Sequence, residues 1–213
     1  PWSYPESNQI WRTSDWTPIS FQYPLDLSMP ESLNADTFII NTRDGLSMSP
    51  IQGSQISYSS IYPPTSSPMP IKVSPNQKYL AYASGGAGSG SLVIFDVSKG
   101  LGAPALGDPL PSSDNVSLWF SPSSDYLMMS SHAGIKVWDL SAMKLKYQFS
   151  DVFDTPVFSA DSSLLFFNYG AINLKTGETT SDSPVNGQFF AVSSDGTIIV
   201  TASNGTITYW GIP

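Results

Sequence analysis

The segment SSHAGIKVWDL, residues 130–140, holds the only histidine of the 213-residue chain, His132, directly after Ser130 and Ser131. A histidine beside a serine is the pair from which acyl-transfer chemistry is built, provided the imidazole takes the hydroxyl proton and a third group orients the ring. Here the serines end an apolar run instead of standing on a sharp nucleophile turn, and nothing nearby serves as the third group. His132 therefore reads as an exposed turn residue. The second candidate chemistry lies in carboxylates. Asp151 and Asp154 are paired in SDVFDTP, and Asp114 with Asn115 occupies a similar connection upstream. Two carboxylates across a cleft can cleave a glycosidic bond, but neither pair sits in a glycosidase phrase, and solvated loop acids explain them.

Metals and cofactors fare no better. One histidine and no cysteine do not make the donor set of a zinc centre, and no acidic calcium loop of the D-x-[DN]-x-[DN]-G type occurs. The glycine-rich GGAGSG lacks the Lys-Ser/Thr ending and the following helix of a phosphate cradle. No cofactor is expected. The triplets NVS at Asn115 and NGT at Asn204 match the N-glycosylation acceptor pattern, which arises often by chance.

The rest of the chain must supply the frame for any such group. Charged residues make up 12%, about half the globular average, while aromatics reach 13%. Ser, Thr, Gly and Pro fill the gap, which favours short strands joined by many turns. The net charge is −8 with no Lys/Arg cluster, so a grip on nucleic-acid phosphates or an anionic membrane is not expected. No apolar run reaches membrane-spanning length. The absence of cysteine excludes disulfides and leaves the compartment open.

An internal repeat recurs roughly every 40 residues. IKVSPNQKYLAYAS starts at Ile71, LWFSPSSDYLMMSS at Leu118, PVFSADSSLLFFNY at Pro156 and FAVSSDGTIIVTAS at Phe190; a worn copy starts at Leu25. The shared serines are Ser28, Ser74, Ser121, Ser159 and Ser193. Each copy continues into a second apolar run, a glycine turn (Gly45, Gly90, Gly134, Gly170, Gly205) and a third run. Glycine accepts the positive φ that tight hairpins require. Runs such as YLMM and LLFF are apolar on both faces, the pattern of a strand packed between two sheets. A unit of this length with three or four strands is a propeller blade. An all-β propeller of five visible four-stranded blades is expected, at about 19–66, 67–112, 113–150, 151–185 and 186–213, after an N-terminal segment 1–18.

These phrases resemble WD40-type β-propeller repeats. FSPSSDYLMMSSHAGIKVWDL is similar to the family phrase in which Phe-Ser-Pro-Asp-Gly leads into strand b and Val-Trp-Asp ends strand c; IFDV at 94–97 and ITYWGI at 207–212 are weaker copies, and SPNQKYLAYASG also looks like TolB-type propellers. The family's Gly-His before strand a is missing throughout, and its buried Asp survives only as Asp44, with Asn204 as a near match. Apolar packing is therefore expected to replace the family's histidine–aspartate network. The resemblance implies a non-enzymatic interaction scaffold with a protein partner, and an intracellular setting ahead of a secreted one. Two alternatives stand beside it: a carbohydrate-binding lectin-like propeller or five-bladed glycoside hydrolase, and an arc of a larger propeller completed by another chain, so an oligomer is possible. On the family pattern, the b–c turns and d–a connections share one face. The candidate binding residues there are Asp114, Asn115, His132, Asp151, Asp154, Tyr169 and Asn204.

Two further expectations follow. The last blade ends at strand c, and NQIWRTSDW upstream alternates like a strand, so residues 9–15 are expected to pair with residues 206–211 and close the ring. Lys72 and Asp26, both two positions before a repeat serine, are expected to pair.

Overall fold

The structure, a computed structural model, describes residues 10–11, 15–21, 31–34, 37–42, 45–52, 55–56, 59–62, 70–84, 90–99, 106–109, 116–150, 156–167, 170–180, 188–193, 198–203 and 205–211. Among them the only helical element is a single 3-10 turn, Val97–Lys99. Everything else is strand or turn, as the turn-rich, β-branched composition dictates. The chain divides into two compact units, Pro1–Val73 with Gln77–Ser113, and Ser74–Asn76 with Asp114–Pro213.

The first unit opens with β1 (Ile10–Trp11), β2 (Pro18–Phe21), β3 (Glu31–Asn34), β4 (Thr37–Thr42), β5 (Gly45–Gln52), β6 (Gln55–Ile56) and β7 (Ser59–Tyr62). They form one sheet in the order β1-β2-β6-β5-β4-β3, with β7 on β5, and β2 runs parallel to β6. This is larger than the four-stranded blade expected over 19–66. Its second sheet is four-stranded: β8 (Ile71–Val73), β9 (Tyr79–Ser84), β10 (Ser91–Asp96) and β11 (Leu106–Pro109), in the order β11-β10-β9-β8. Leu33 and Ile39 from the first sheet join Ile71, Leu80, Tyr82, Val93 and Phe95 from the second in one apolar core.

The second unit holds three antiparallel sheets. The third sheet is β12 (Ser117–Phe120), β13 (Tyr126–Ser131), β14 (Gly134–Asp139) and β15 (Lys144–Phe149), and the fourth is β16 (Val157–Phe158), β17 (Leu164–Phe167), β18 (Gly170–Asn173) and β19 (Thr179–Thr180). The fifth has three strands, β20 (Gln188–Val192), β21 (Ile198–Ser203) and β22 (Thr206–Gly211). The strands follow the repeat in order a, b, c, d. Side chains alternate between faces, and both faces of the fourth sheet are apolar and covered, one by the third sheet and one by the fifth. Tyr126, Met128, Ile135 and Val137 of the third sheet pack on Phe158, Leu165, Ile172 and Leu174 of the fourth. Phe166 and Ala171, on the other face of the fourth, pack with Val157 and Leu164 against Ile199, Val192 and Trp210 of the fifth. Trp138, paired with Leu127, is 1% exposed.

Two expectations fall partly outside the described residues. Of residues 9–15, Ile10 and Trp11 pair with Ile19 and Pro18, and the pairing with residues 206–211 is not seen among the described strands, where β22 pairs with β21. A local turn holds the observed pairing. Asp15 Oδ1 accepts from Thr17 N at 3.0 Å and Thr17 Oγ1 at 2.7 Å, pinning a short hairpin that costs far less loop entropy than a strand recruited from across the sequence. Among the described residues the strand that pairs with β4 is Glu31–Asn34, and Lys72 forms an ion pair with Glu31; the run before Ser28 lies outside them. Asp26 lies outside the described residues.

Candidate interaction site

The repeat serines build one end of the sheets. Ser121 Oγ accepts from Tyr126 N at 3.0 Å, Ser159 Oγ from Leu164 N at 2.9 Å, and Ser193 Oγ from Ile198 N at 2.9 Å. Each hydroxyl thereby satisfies the first backbone donor of strand b, and Ser74, Ser121 and Ser159 are buried. The residue two steps on closes the turn. Ser74 Oγ donates to Asn76 Oδ1 at 2.8 Å, Ser159 Oγ donates to Asp161 Oδ1 at 2.6 Å, and Ser121 shares a hydrogen bond with Ser123 at 3.3 Å. Asp161 also accepts from Ser163 N and Ser163 Oγ. The Ser159 hydroxyl, followed by these Ser163 groups, holds its carboxyl down at about 2.

One step further the chain turns left-handed. Gln77, Ser124 and Ser162 have φ of 61°, 66° and 60°. The resembled family places glycine there, because a Cβ in this region is strained. The two serines compensate. Ser124 Oγ accepts from Asn76 N at 3.1 Å and Ser162 Oγ from Ser123 N at 2.9 Å. Each left-handed serine thus ties its own turn to the preceding one, and both serines are at most 3% exposed. Sequence reasoning passed over this ladder. Its signal was a serine standing where the repeat phrase calls for glycine.

The c–d turns reuse one device. Asp139, the Asp of the Trp-Asp pair, accepts through Oδ1 from Ser141 N at 3.0 Å, Ser141 Oγ at 2.6 Å and Ala142 N at 3.1 Å. Asp96 does the same with Ser98, and Asn173 with Lys175 N and Thr176 N. Beside Asp139, Lys146 Nζ lies 3.7 Å from its carboxylate and donates to Tyr126 Oη at 3.3 Å. Burial opposes the lysine's charge, but the Tyr126 hydrogen bond, with Tyr147 and Asp139 nearby, leaves its pKa raised. A lysine held protonated in this way is no nucleophile. Tyr126 and Tyr147 both donate to the Leu174 carbonyl, at 3.4 and 3.1 Å, tying the third sheet to the fourth.

His132 sits at the opposite end of the third sheet from Ser121. It occupies the turn between β13 and β14 and is exposed. Ser131 Oγ accepts from Ala133 N at 3.2 Å and donates to the Gly134 carbonyl at 3.3 Å. The hydroxyl is therefore engaged in shaping the turn, not aimed at the imidazole. Phe149 pairs with Ile135, so the end of strand d reaches the same end as His132. Of the candidate binding residues, His132 alone is described; Asp114, Asn115, Asp151, Asp154, Tyr169 and Asn204 lie outside the described residues, as does Asp44.

Four-stranded antiparallel sheets, stacked face on face and repeated along the chain, define a β-propeller of WD40-like fold. The chain resembles the C-terminal WD40 domain of Sif2, at TM-score 0.64 and 18% identity, over 95% of this chain and 63% of that one. It also resembles a chain of a mitotic checkpoint complex, at TM-score 0.59 and 13% identity over 96% and 69%, and TolB from Acinetobacter baumannii, at 0.50 and 14% over 95% and 56%. The chain thus spans less than two thirds of the TolB and Sif2 chains. No family model and no curated protein matches the sequence.

Proposed function

We propose that the chain is a non-enzymatic protein-interaction scaffold whose partner surface is the end carrying the b–c turns and d–a connections. His132 is one contact, with Asp114, Asn115, Asp151, Asp154, Tyr169 and Asn204 as the others. The observation that carries this reading is the contrast between the two ends of the sheets. At the a–b end, Ser74, Ser121 and Ser159 hydrogen-bond within their turns in a repeated geometry, and Ser124 and Ser162 each link a turn to the preceding one. At the other end the connections differ: β13 and β14 are joined directly through His132 and Ala133, whereas Ser84 and Ser91 bracket a long glycine-rich connection. A rigid frame under variable loops is the arrangement that recognition uses. The likeness to a chain of a mitotic checkpoint complex, a multi-component assembly by its name, favours a protein partner.

The test is capture by the immobilised chain, comparing two sets of substitutions. His132→Ala with Asp151→Asn and Asp154→Asn alters one end; Asp161→Asn with Lys78→Ala alters the other. A saturable protein partner lost with the first set and kept with the second is the expected result. The reverse pattern moves the surface to the a–b end, and the absence of any saturable partner removes the scaffold reading.

A further inference from the structure

The last strand of the first sheet's a–d order receives a further strand. On the edge of β5 away from β4, β6 pairs with Ile51 and Gln52, and β7 pairs with Leu46, Ser47 and Met48. Together β6 and β7 take the place of strand d. On its other side β6 holds β2 in parallel, with Ser20 opposite Gln55 and Phe21 opposite Ile56. The rim of such a sheet thus offers main-chain groups that can hold an added segment.

β15 offers a rim of the same kind in the third sheet. It stands last in the order β12-β13-β14-β15 and pairs with β14 alone among the described strands. At six residues it outruns its equivalents: β11, LGDP, carries an acid and a proline, and β19 has two residues. KLKYQF contains neither acid nor proline. A bulge sets Tyr147 opposite Val137 and Leu145 opposite Trp138, so Leu145 and Tyr147 lie on opposite faces. Leu145 is 42% exposed and Tyr147 half-buried. An added strand finds an apolar side chain on either face.

Charge selects the strand. β14 and β15 carry Lys136, Lys144 and Lys146 against Asp139 alone, three of the nine Lys and Arg of a chain whose net charge is −8. Asp139 lies 3.7 Å from Lys146 and offsets one of the three, while Lys144 is exposed. Lysines on a rim hold off a second copy of the same strand, and they draw a strand of opposite sign. A neutral apolar segment gains nothing from them, and a basic one is repelled.

We propose that β15 takes up an acidic, extended segment of a partner protein as a fifth strand. Its carboxylates meet Lys144 and the surplus positive charge of β14 and β15, and its apolar side chains lie beside Leu145 and Tyr147. The rim runs along the side of the sheet, between its two ends. The reading of the end bearing His132 therefore neither supports this contact nor needs it.

Fluorescence anisotropy tests it, with the whole chain titrated into a labelled peptide that alternates Glu and Val and is blocked at both ends. Saturable binding that weakens as salt rises is expected, together with slower amide exchange along Lys144–Phe149. Lys144→Glu should weaken binding by at least about fivefold. Lys175→Glu, at an exposed lysine between β18 and β19, should change it by less than about twofold. Two changes in the peptide leave the protein's fold untouched. Lys in place of Glu should abolish binding, and N-methylation of the whole peptide backbone, which removes every main-chain donor but no charge, should do the same. No saturable binding below about 1 mM overturns the proposal. So does equal binding of the lysine peptide or the N-methylated one, or a loss with Lys175→Glu as large as with Lys144→Glu.

Discussion

The third and fifth sheets start from the same phrase and end in different surroundings. Both follow a buried or half-buried repeat serine whose hydroxyl caps strand b, at Tyr126 N and Ile198 N. Both then pair a, b and c strands in antiparallel register. The third goes on to a fourth strand and a neighbouring sheet, so that Met128 and Val137 are fully buried, while Tyr209 at the equivalent of Val137 is 71% exposed. The lesson is that the phrase fixes the turn and the strand, whereas burial belongs to what packs beside them.

The sharpest break of this comparison uses the b–c glycines. Gly134 has φ +109°, and a Cβ there would overlap the backbone carbonyl of Phe149 on strand d. Gly134→Ala should cost roughly 2–5 kcal/mol, from about 1–2 for the backbone and about 1–3 for the overlap. Gly205, at φ +75°, has nothing within 4 Å of such a Cβ, so Gly205→Ala should cost only about 1–2 kcal/mol. Urea melts of the two variants check the difference, and equal losses would mean that the fourth strand is not what makes the third sheet intolerant.

Packing gives the next contrast. Leu165→Ala, at a fully buried position between the third and fourth sheets, should destabilise by about 2–5 kcal/mol. Ile207→Ala, at an exposed position of the fifth, should stay within about 0.5 kcal/mol.

The left-handed positions sharpen the comparison at the level of turns. Ser162→Ala keeps the strained φ and removes the acceptor of Ser123 N, so a loss of roughly 1–3 kcal/mol is expected. Gln77→Gly, at an exposed position with φ 61°, should instead gain about 1 kcal/mol by relieving the Cβ strain. Should both variants lose stability alike, the serine ladder is not what justifies side chains at these positions.

The smallest expected effect concerns acid. Asp161 titrates at about 2 in the folded chain, below the usual 3.8, because Ser159 and Ser163 donate to its charged form. A depressed pKa stabilises the fold above 3.8, and the contribution disappears as pH falls from 3.8 towards 2. Asp161→Asn should flatten the stability profile in that window while leaving the fold intact, since Asn76 already fills the equivalent place beside Ser74. A profile of unchanged slope would show that the turn does not favour the ionised form.

Much of the architecture could be read from residue order. Strands b and c of the second to fifth sheets fall where the repeat puts them, and Gly134 and Gly205 take the positive φ that the turns demanded. The first expected strand, LDLS, lies outside the described residues; among these, Glu31–Asn34 supplies the register that pairs with β4. For residues 9–15, alternation marks a strand but not its partner: the partner seen for Ile10 and Trp11 is the nearby Pro18–Phe21, beside the Asp15–Thr17 turn. At the candidate site, the sequence placed His132 in its turn correctly, but the use of Ser131 within that same turn depends on hydrogen-bond geometry that spacing alone does not carry.

By itself the sequence determined a repeating all-β chain, its serine-capped turns and its low charge, since these depend on local preferences and on composition. The tertiary structure alone decided which left-handed serines reach the preceding turn, which acid receives Lys72, and which apolar face stays open. Those outcomes depend on distances between residues far apart in the chain. Two sequences with the same local pattern can differ in every one of them, because a side chain's alternation names its face and not what that face will meet.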